Sequence, residues 1–95
     1  MLFAIHALDG TEGLARRKTA QQPHSEHLKK AGDYGARMVM AGPLVEDDGT
    51  TMKGSLLIID ADDRGAVEAF NRDDPYHAAG VWEVVTITAF QKRQG

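Results

Sequence analysis

SLLIIDA, residues 55–61, is apolar on both sides of an extended chain. Successive side chains of a strand point to opposite faces, so Leu56 and Ile58 lie on one face and Leu57 and Ile59 on the other. A strand with one face in water alternates apolar and polar residues, whereas a strand buried on both faces reads as a continuous apolar run. This stretch therefore predicts a strand in a sheet that is covered on both sides.

Three other segments have the character of strands and complete a sheet around this one. Residues 2–8 (LFAIHAL) and 37–44 (RMVMAGPL) are largely apolar, and residues 81–90 (VWEVVTITAF) are rich in the β-branched side chains that strands favour. The first of these segments is also apolar on both faces, over residues 2–5. Four strands are therefore predicted, and at least two of them need cover on both faces.

Two helices are predicted between the strands. The first runs from Pro23 to Tyr34, because proline suits the first helical position and the glycine that follows Tyr34 suits the C-terminal cap. The second runs from about Arg64 to Asn71, with an acidic cap at Asp62 or Asp63. Residues 13–20 are predicted to form a separate short helical turn before the first helix.

The resulting order of elements, β-α-β-β-α-β, is that of the ferredoxin-like arrangement. This is an α+β fold with a four-stranded antiparallel sheet that carries both helices on one face. No third helix is predicted for the other face, although the strands are apolar there too. A second copy of the sheet is the simplest cover, so we predict a homodimer packed sheet to sheet.

Composition narrows the class of protein. The 95 residues predict a single domain, residues 1–95, whose small core favours oligomerisation. The absence of cysteine excludes disulfides and thiolate chemistry and fits a cytoplasmic protein. A net charge of −3 without a long basic run argues against nucleic-acid binding. The apolar N-terminal stretch is too short for a signal peptide or a membrane span, so no membrane partner is predicted.

His24 is the first candidate for chemistry. On a helix that starts at Pro23, His24, Leu28 and Ala31 lie at i, i+4 and i+7, so His24 is predicted to point inward. An imidazole, with an ordinary pKa of about 6.5, can take and return a proton near neutral pH, which suits a general acid/base. A core-edge histidine bonded to backbone is an equal alternative. Metal binding together with His27 is disfavoured, because no further ligand lies at a recognisable spacing.

The stretch DDPYHAAGVW, residues 73–82, concentrates ionisable groups where the second helix passes into the last strand. The residue before a proline is pushed out of the helical region, so Asp74 is predicted to be extended or in a turn. Asp74 is the candidate carboxylate partner of the histidine, and Tyr76 is a candidate to face the same pocket. An Asx-type cap of the turn at residues 75–79 explains Asp74 equally well.

Asp9, Arg17 and Ser55 are candidates for holding a substrate. Arg17 can bind an anionic group in a bidentate way, although its basic neighbours fit a surface charge as well. Asp9 begins an Asp-Gly pair, which is also an ordinary turn. Ser55 follows Gly54, which permits close backbone approach, and its hydroxyl can bond a ligand or a loop. The chain has no Ser-His-Asp motif, phosphate-binding glycine loop or dinucleotide fingerprint, so neither a cofactor nor a metal is predicted.

Together these segments resemble the YciI-like (YCII-related) family. The resemblance covers the chain from residue 1 to about residue 92 and rests on the order and spacing of MLFAIHALD, Arg17, PHSEHLKKAGDYG, AGPL, KGSLLIID and DDPYHAAGVWEVVTITAF. It implies a ferredoxin-like dimeric α/β barrel with a pocket in each subunit between the sheet and its helices. It also implies an active histidine–aspartate pair, which falls on His24 and Asp74, with Asp9 as the rival carboxylate.

Two departures from the family pattern concern the implied pocket. Gln21 stands where many members have a second arginine shortly before the histidine, so an anion site made of two arginines is not implied. Arg17 does match a family arginine. The segment between Pro43 and Gly54 is short, which predicts a different pocket rim.

With no metal or nucleotide motif, proton transfer is the chemistry that the predicted pocket favours. We expect a cofactor-independent enzyme of isomerase, lyase or dehydrohalogenase type that acts on a small, anionic cyclic or aromatic compound. His24 is expected to be the general acid/base, Asp74 to orient it, and Arg17 with Ser55 to hold the substrate. The alternative from another class is a non-catalytic dimeric module that binds a small ligand without converting it.

Overall fold

The chain folds as a strand, a helix, two strands, two helices and a last strand, and the computed structural model describes all of residues 1–95. The elements, in chain order, are β1 (Leu2–Asp9), α1 (Gly13–Leu28), a 3₁₀ turn (Ala31–Tyr34), β2 (Ala36–Val45), β3 (Met52–Ala61), α2 (Arg64–Arg72), α3 (Pro75–Ala78) and β4 (Trp82–Phe90). None of the helices has the length and apolar character that crossing a membrane requires. The predicted α+β class and the four predicted strands are confirmed.

The four strands form one antiparallel sheet in the order β2-β3-β1-β4. This is the ferredoxin-like order, in which the two central strands, β1 and β3, are hydrogen-bonded along both edges. His6 in β1 lies opposite Leu56 of β3 and Thr86 of β4, which fixes the register across the centre of the sheet. The first and last strands of the chain are therefore neighbours.

One face of the sheet packs against the helices and forms the core. Alternate residues of the central strands point inward, so Phe3, Ile5, Leu57 and Ile59 are buried and pack with Phe70 of α2. A second, smaller cluster lies under α1 and α3, at the end of the sheet where β1 ends and β4 begins, and consists of Ala7, Ala20, Tyr76, Val81 and Trp82.

The predicted start of the first helix at Pro23 is wrong. Helix α1 begins at Gly13, absorbs the turn predicted for residues 13–20 and ends at Leu28, with the 3₁₀ turn following separately. Proline within a helix removes one backbone hydrogen bond, and helices that tolerate it need support from tertiary contacts. Here the buried side chains of Arg17 and Ala20 hold the helix before Pro23 against the sheet.

Carboxylate caps begin both later helices. Asp63 caps α2 by accepting a hydrogen bond from the Ala66 N–H at 2.9 Å, which decides between the two acidic residues considered above. Asp74 caps α3 through the Tyr76 N–H at 2.9 Å. The segment after Asp74, predicted as a turn, forms this single helical turn, because proline at the first helical position is pre-set for it.

The second face of the sheet carries no helix. Four large apolar side chains on this face are exposed: Leu8 by 41%, Met40 by 60%, Val84 by 52% and Phe90 by 48%. The register places Leu8 opposite Val84 across β1 and β4. His6 is also exposed on this face. Contiguous apolar surface of this kind is typical of interaction sites.

We expect a second copy of the chain to cover this face, so that the protein is a homodimer in solution. Val84→Asp should shift the mass measured by light scattering toward the monomer, because it places a charge on the apolar face. Leu14→Asp is the matched control, since Leu14 is 44% exposed on helix α1, away from that face. A wild-type chain that is monomeric at high concentration would contradict the expectation.

Gly54 lies where β3 passes very close to β1. A Cβ atom at this position would collide with the backbone carbonyl oxygen of Ala7 and lie 2.9 Å from Leu44 Cδ1. The Ala7 carbonyl belongs to the backbone and cannot withdraw without moving β1, so the close packing of the two strands requires glycine here.

Gly54→Ala is therefore expected to lower the free energy of unfolding by about 1–3 kcal/mol, the usual cost of overpacking. Denaturant unfolding followed by circular dichroism measures the change. Gly32→Ala serves as control, because a Cβ there meets nothing within 4 Å. Equal losses in the two variants would show that the β1–β3 contact is not the cause.

Candidate active site

Arg17 is a buried cation on the inner face of α1. Its side chain is only 4% exposed, and its Nε donates to Asp9 Oδ2 at 2.6 Å while Nη2 donates to Asp9 Oδ1 at 3.0 Å. The second Nη2 proton is shared between the Gly54 carbonyl oxygen at 2.5 Å and Ser55 Oγ at 2.8 Å. A guanidinium fork matches a carboxylate in this bidentate way and suits buried positions. Arg17 thus ties α1 to β1 and β3.

His24 follows Arg17 by two helical turns and lies on the same side of α1. Its Nδ1 is 2.7 Å from Asp74 Oδ1 and 3.0 Å from Oδ2, and the Asp74 carboxylate is fully buried. A carboxylate opposite Nδ1 favours the tautomer with the proton on Nδ1, which then donates to the oxygen. In the neutral ring Nε2 keeps its lone pair, and Nε2 has no hydrogen-bond partner in the chain.

Tyr76 forms an aromatic wall beside this pair. Its ring stacks on the His24 imidazole, with ring centres 3.7 Å apart and planes within 3° of parallel. The Arg17 guanidinium carbon lies over the Tyr76 ring, 5.0 Å from its centre. Burial raises the pKa of the Tyr76 phenol, which the positive charge of Arg17 opposes. Tyr76 therefore stays protonated at neutral pH.

Ser55 connects Arg17 with the last strand. Its Oγ accepts from Arg17 Nη2 at 2.8 Å and from the indole Nε1–H of Trp82 at 3.2 Å. The Trp82 ring in turn stands edge-on to His24 and to Tyr76, with ring centres 6.2 Å and 5.7 Å apart. These contacts form one continuous network that joins β1, α1, β3, α3 and β4.

A cavity of about 210 Å³ opens beside the network, between α1 and the β2–β3 half of the sheet. Its polar wall is made by Arg17, Gln21, His24, Ser55 and Tyr76, and its opposite side is lined by residues of β2 and the start of β3, among them Ala41, Gly42, Pro43 and Met52. This volume is small for a ligand site, and it suits a compound of about one ring rather than a nucleotide.

The structure brings all six predicted site residues into this one network: Asp9, Arg17, His24, Ser55, Asp74 and Tyr76. Asp74 lies against His24, whereas Asp9, the rival carboxylate, is bound to Arg17. Asp74 also caps α3, so one carboxylate both contacts His24 and begins that helix. The parts that these residues play in binding and catalysis remain predictions.

The remaining histidines lie outside the cavity. His27 is buried, its Nε2 is 2.8 Å from the Phe70 carbonyl oxygen, and its ring stacks on Phe70. This is the role of a satisfied core histidine. His77 is exposed. No group of three or more histidine and acidic side chains is placed so that it could hold a metal ion.

Trp82 is the member of the network that the sequence does not predict, because in the sequence it reads only as a strand residue. One signal was available: it is the single tryptophan of the chain, and a buried indole N–H needs an acceptor. Which acceptor it finds depends on the pairing of β4 with β1, which periodicity does not reveal.

Comparisons with known proteins agree with this architecture. Two proteins named YciI, from Escherichia coli O6:H1 (strain CFT073) and from Shigella flexneri, are each 33% identical to the chain over 97 aligned positions, which span 97% of the chain and 98% of those proteins. Among solved structures, 5-chloro-2-hydroxyhydroquinone dehydrochlorinase (TftG) from Burkholderia phenoliruptrix AC1100, in complex with 2,5-dihydroxybenzoquinone, superposes with a TM-score of 0.82. It is 25% identical, and the match covers 96% of this chain and 94% of that one.

The family model that describes the YCII-related domain matches residues 1–91. The match spans every strand and helix of the fold, including all the residues of the contact network. The resemblance inferred from the sequence is thereby confirmed, and the chain belongs to the YCII-related domain family.

Proposed function

We propose that the protein is a cofactor-independent enzyme that transfers protons on a small ring compound, with His24 as general acid/base. The observation that carries the proposal is the His24–Asp74 pair at the wall of a one-ring cavity. The buried carboxylate holds the Nδ1–H tautomer, so Nε2 is the atom that exchanges a proton with a substrate. Asp74 orients the ring and stabilises the imidazolium that forms.

The dehydrochlorinase TftG supports an elimination or isomerisation on an oxygenated ring. In such a step Nε2 of His24 takes a proton from the substrate, and the electron pair of the broken bond forms a new π bond. In an elimination the halide leaves with its own bonding pair, and His24 then passes its proton to water. An isomerisation returns the proton to another atom of the substrate instead.

Arg17 and Ser55 are proposed to hold the substrate at the polar wall. Arg17 uses Nε and Nη2 for contacts within the chain, and Nη1 takes part in none of those bonds. Asp9 contributes by holding the guanidinium in place. The stacked ring of Tyr76 fixes the plane of the His24 imidazole, which keeps Nε2 in a constant position.

A second function is a binding module that holds a flat ligand without converting it. The observation that favours this alternative is the aromatic wall of His24, Tyr76 and Trp82, which can bind a ring without proton transfer. The two functions differ in their demand on His24. A binding wall tolerates glutamine there with modest loss of affinity, whereas a proton-transfer catalyst does not.

Replacing His24 by glutamine is expected to lower the rate of chloride release from 5-chloro-2-hydroxyhydroquinone by about 10²–10⁴-fold, the usual contribution of a general acid/base. Ion chromatography of chloride measures the rate. His77→Gln is the control, since His77 is exposed and outside the network. If the wild type binds the compound without releasing chloride, and the glutamine variant binds it with only a modest loss of affinity, the binding module is favoured.

Asp74→Asn is expected to weaken the preference of His24 for the Nδ1–H tautomer, because the amide presents a donor as well as an acceptor to the ring. Nitrogen-15 NMR of the imidazole reads the tautomer directly, without a substrate. Asparagine still caps α3, so the fold should persist. Asp9→Asn should leave the tautomer unchanged, and a shift in that variant instead would assign the partnership to Asp9.

A further inference from the structure

The hydroxyl group of Ser55 has only one direction left in which to form a hydrogen bond. A serine oxygen has two lone pairs and one proton. Arg17 Nη2 and Trp82 Nε1 both donate to this oxygen, so they occupy the two lone pairs. Neither donor can reverse its role, because a guanidinium and an indole N–H cannot accept hydrogen bonds. The proton of Ser55 must therefore point elsewhere.

The chain supplies no acceptor for that proton. Every hydrogen bond at Ser55 Oγ is one that it accepts, and the residue is 97% buried yet lines the cavity. A buried donor without a partner is costly, and the cavity is the place from which a partner can come. The arrangement thus gives the polar wall a donor of fixed direction.

We propose that Ser55 is the group that recognises the ligand, and that Trp82 and Arg17 fix it as a hydrogen-bond donor to a carbonyl or phenolate oxygen on the ligand ring. This deepens the proposed function and rests on its small-ring cavity. Trp82 is a positioning residue, since it acts through the Ser55 hydroxyl. A ligand that offers only N–H or O–H donors at this point leaves the Ser55 proton unpaired and binds more weakly.

The Ser55 hydroxyl and His24 Nε2 are proposed to act on different atoms of one substrate. His24 Nε2 removes a proton, and the electrons released move onto a conjugated oxygen of the ring. A preorganised O–H donor at that oxygen stabilises the charge as it develops, in the manner of an oxyanion hole. The substrate class is therefore a ring that carries a carbonyl, or an ionisable hydroxyl, conjugated with the position that loses the proton.

The test measures the binding of 2,5-dihydroxybenzoquinone by isothermal titration calorimetry to the full chain and to three variants. Ser55→Ala should weaken binding about tenfold, the usual effect of a hydrogen bond of this kind. Trp82→Phe keeps the ring and loses the N–H donor, so it should weaken binding by a few-fold. In the Ser55→Ala background Trp82→Phe should have no further effect, because the two act through one hydroxyl.

Two controls separate this mechanism from packing. Thr19→Ala removes an exposed hydroxyl of α1 that does not line the cavity, and should leave affinity unchanged. The indole N–H resonance of the single tryptophan should move in Ser55→Ala, since its acceptor is lost.

The assignment is overturned if the wild type does not bind the quinone, if Ser55→Ala binds as well as wild type, or if the two losses simply add. The measurement reads binding and not turnover. Quinone binding that depends on Ser55 in a protein without turnover would support the inference and refute the proposed catalysis. Turnover that depends on His24 but not on Ser55 would support the proposed catalysis and refute the inference about Ser55.

Discussion

The buried guanidinium of Arg17 is the constraint on which the rest of the structure depends. A charge taken out of water is strongly unfavourable unless it is paired and fully hydrogen-bonded. The chain meets this demand with a carboxylate from β1 and two oxygens from β3, so α1 can sit on the sheet in only one way. The position of His24, two turns further along the same helix, follows from that placement.

A single carboxylate serves both the fold and the site. Asp74 begins α3 and also holds the His24 imidazole, although its side chain has no access to water. The neighbouring Asp73 accepts from the Tyr34 hydroxyl at 2.6 Å, and this bond raises the pKa of Tyr34. The density of ionisable groups in DDPY therefore reflects two separate contacts back to the first half of the chain.

The sheet was predictable from sequence and the start of α1 was not, because the two elements bury residues of different polarity. The strands are continuous apolar or β-branched runs, which the sequence shows directly. The inner face of α1 instead carries Arg17, Ala20, His24 and His27, so its buried stripe reads as polar and the helix has little amphipathic signal. Proline and glycine then suggested false boundaries. The pairing of Arg17 with Asp9, and of Trp82 with Ser55, needed the strand order as well.

The strand order also determines when the site can exist during folding. His24 and Asp74 are 50 positions apart, and Arg17 and Ser55 are 38 apart, while Trp82 arrives only with the last strand. Contacts between distant segments form late, because the loops between them must close first. The complete network therefore forms only once the last strand, β4, has joined the sheet. A compound that binds in the cavity would therefore raise the free energy of unfolding of the whole domain, including all four strands.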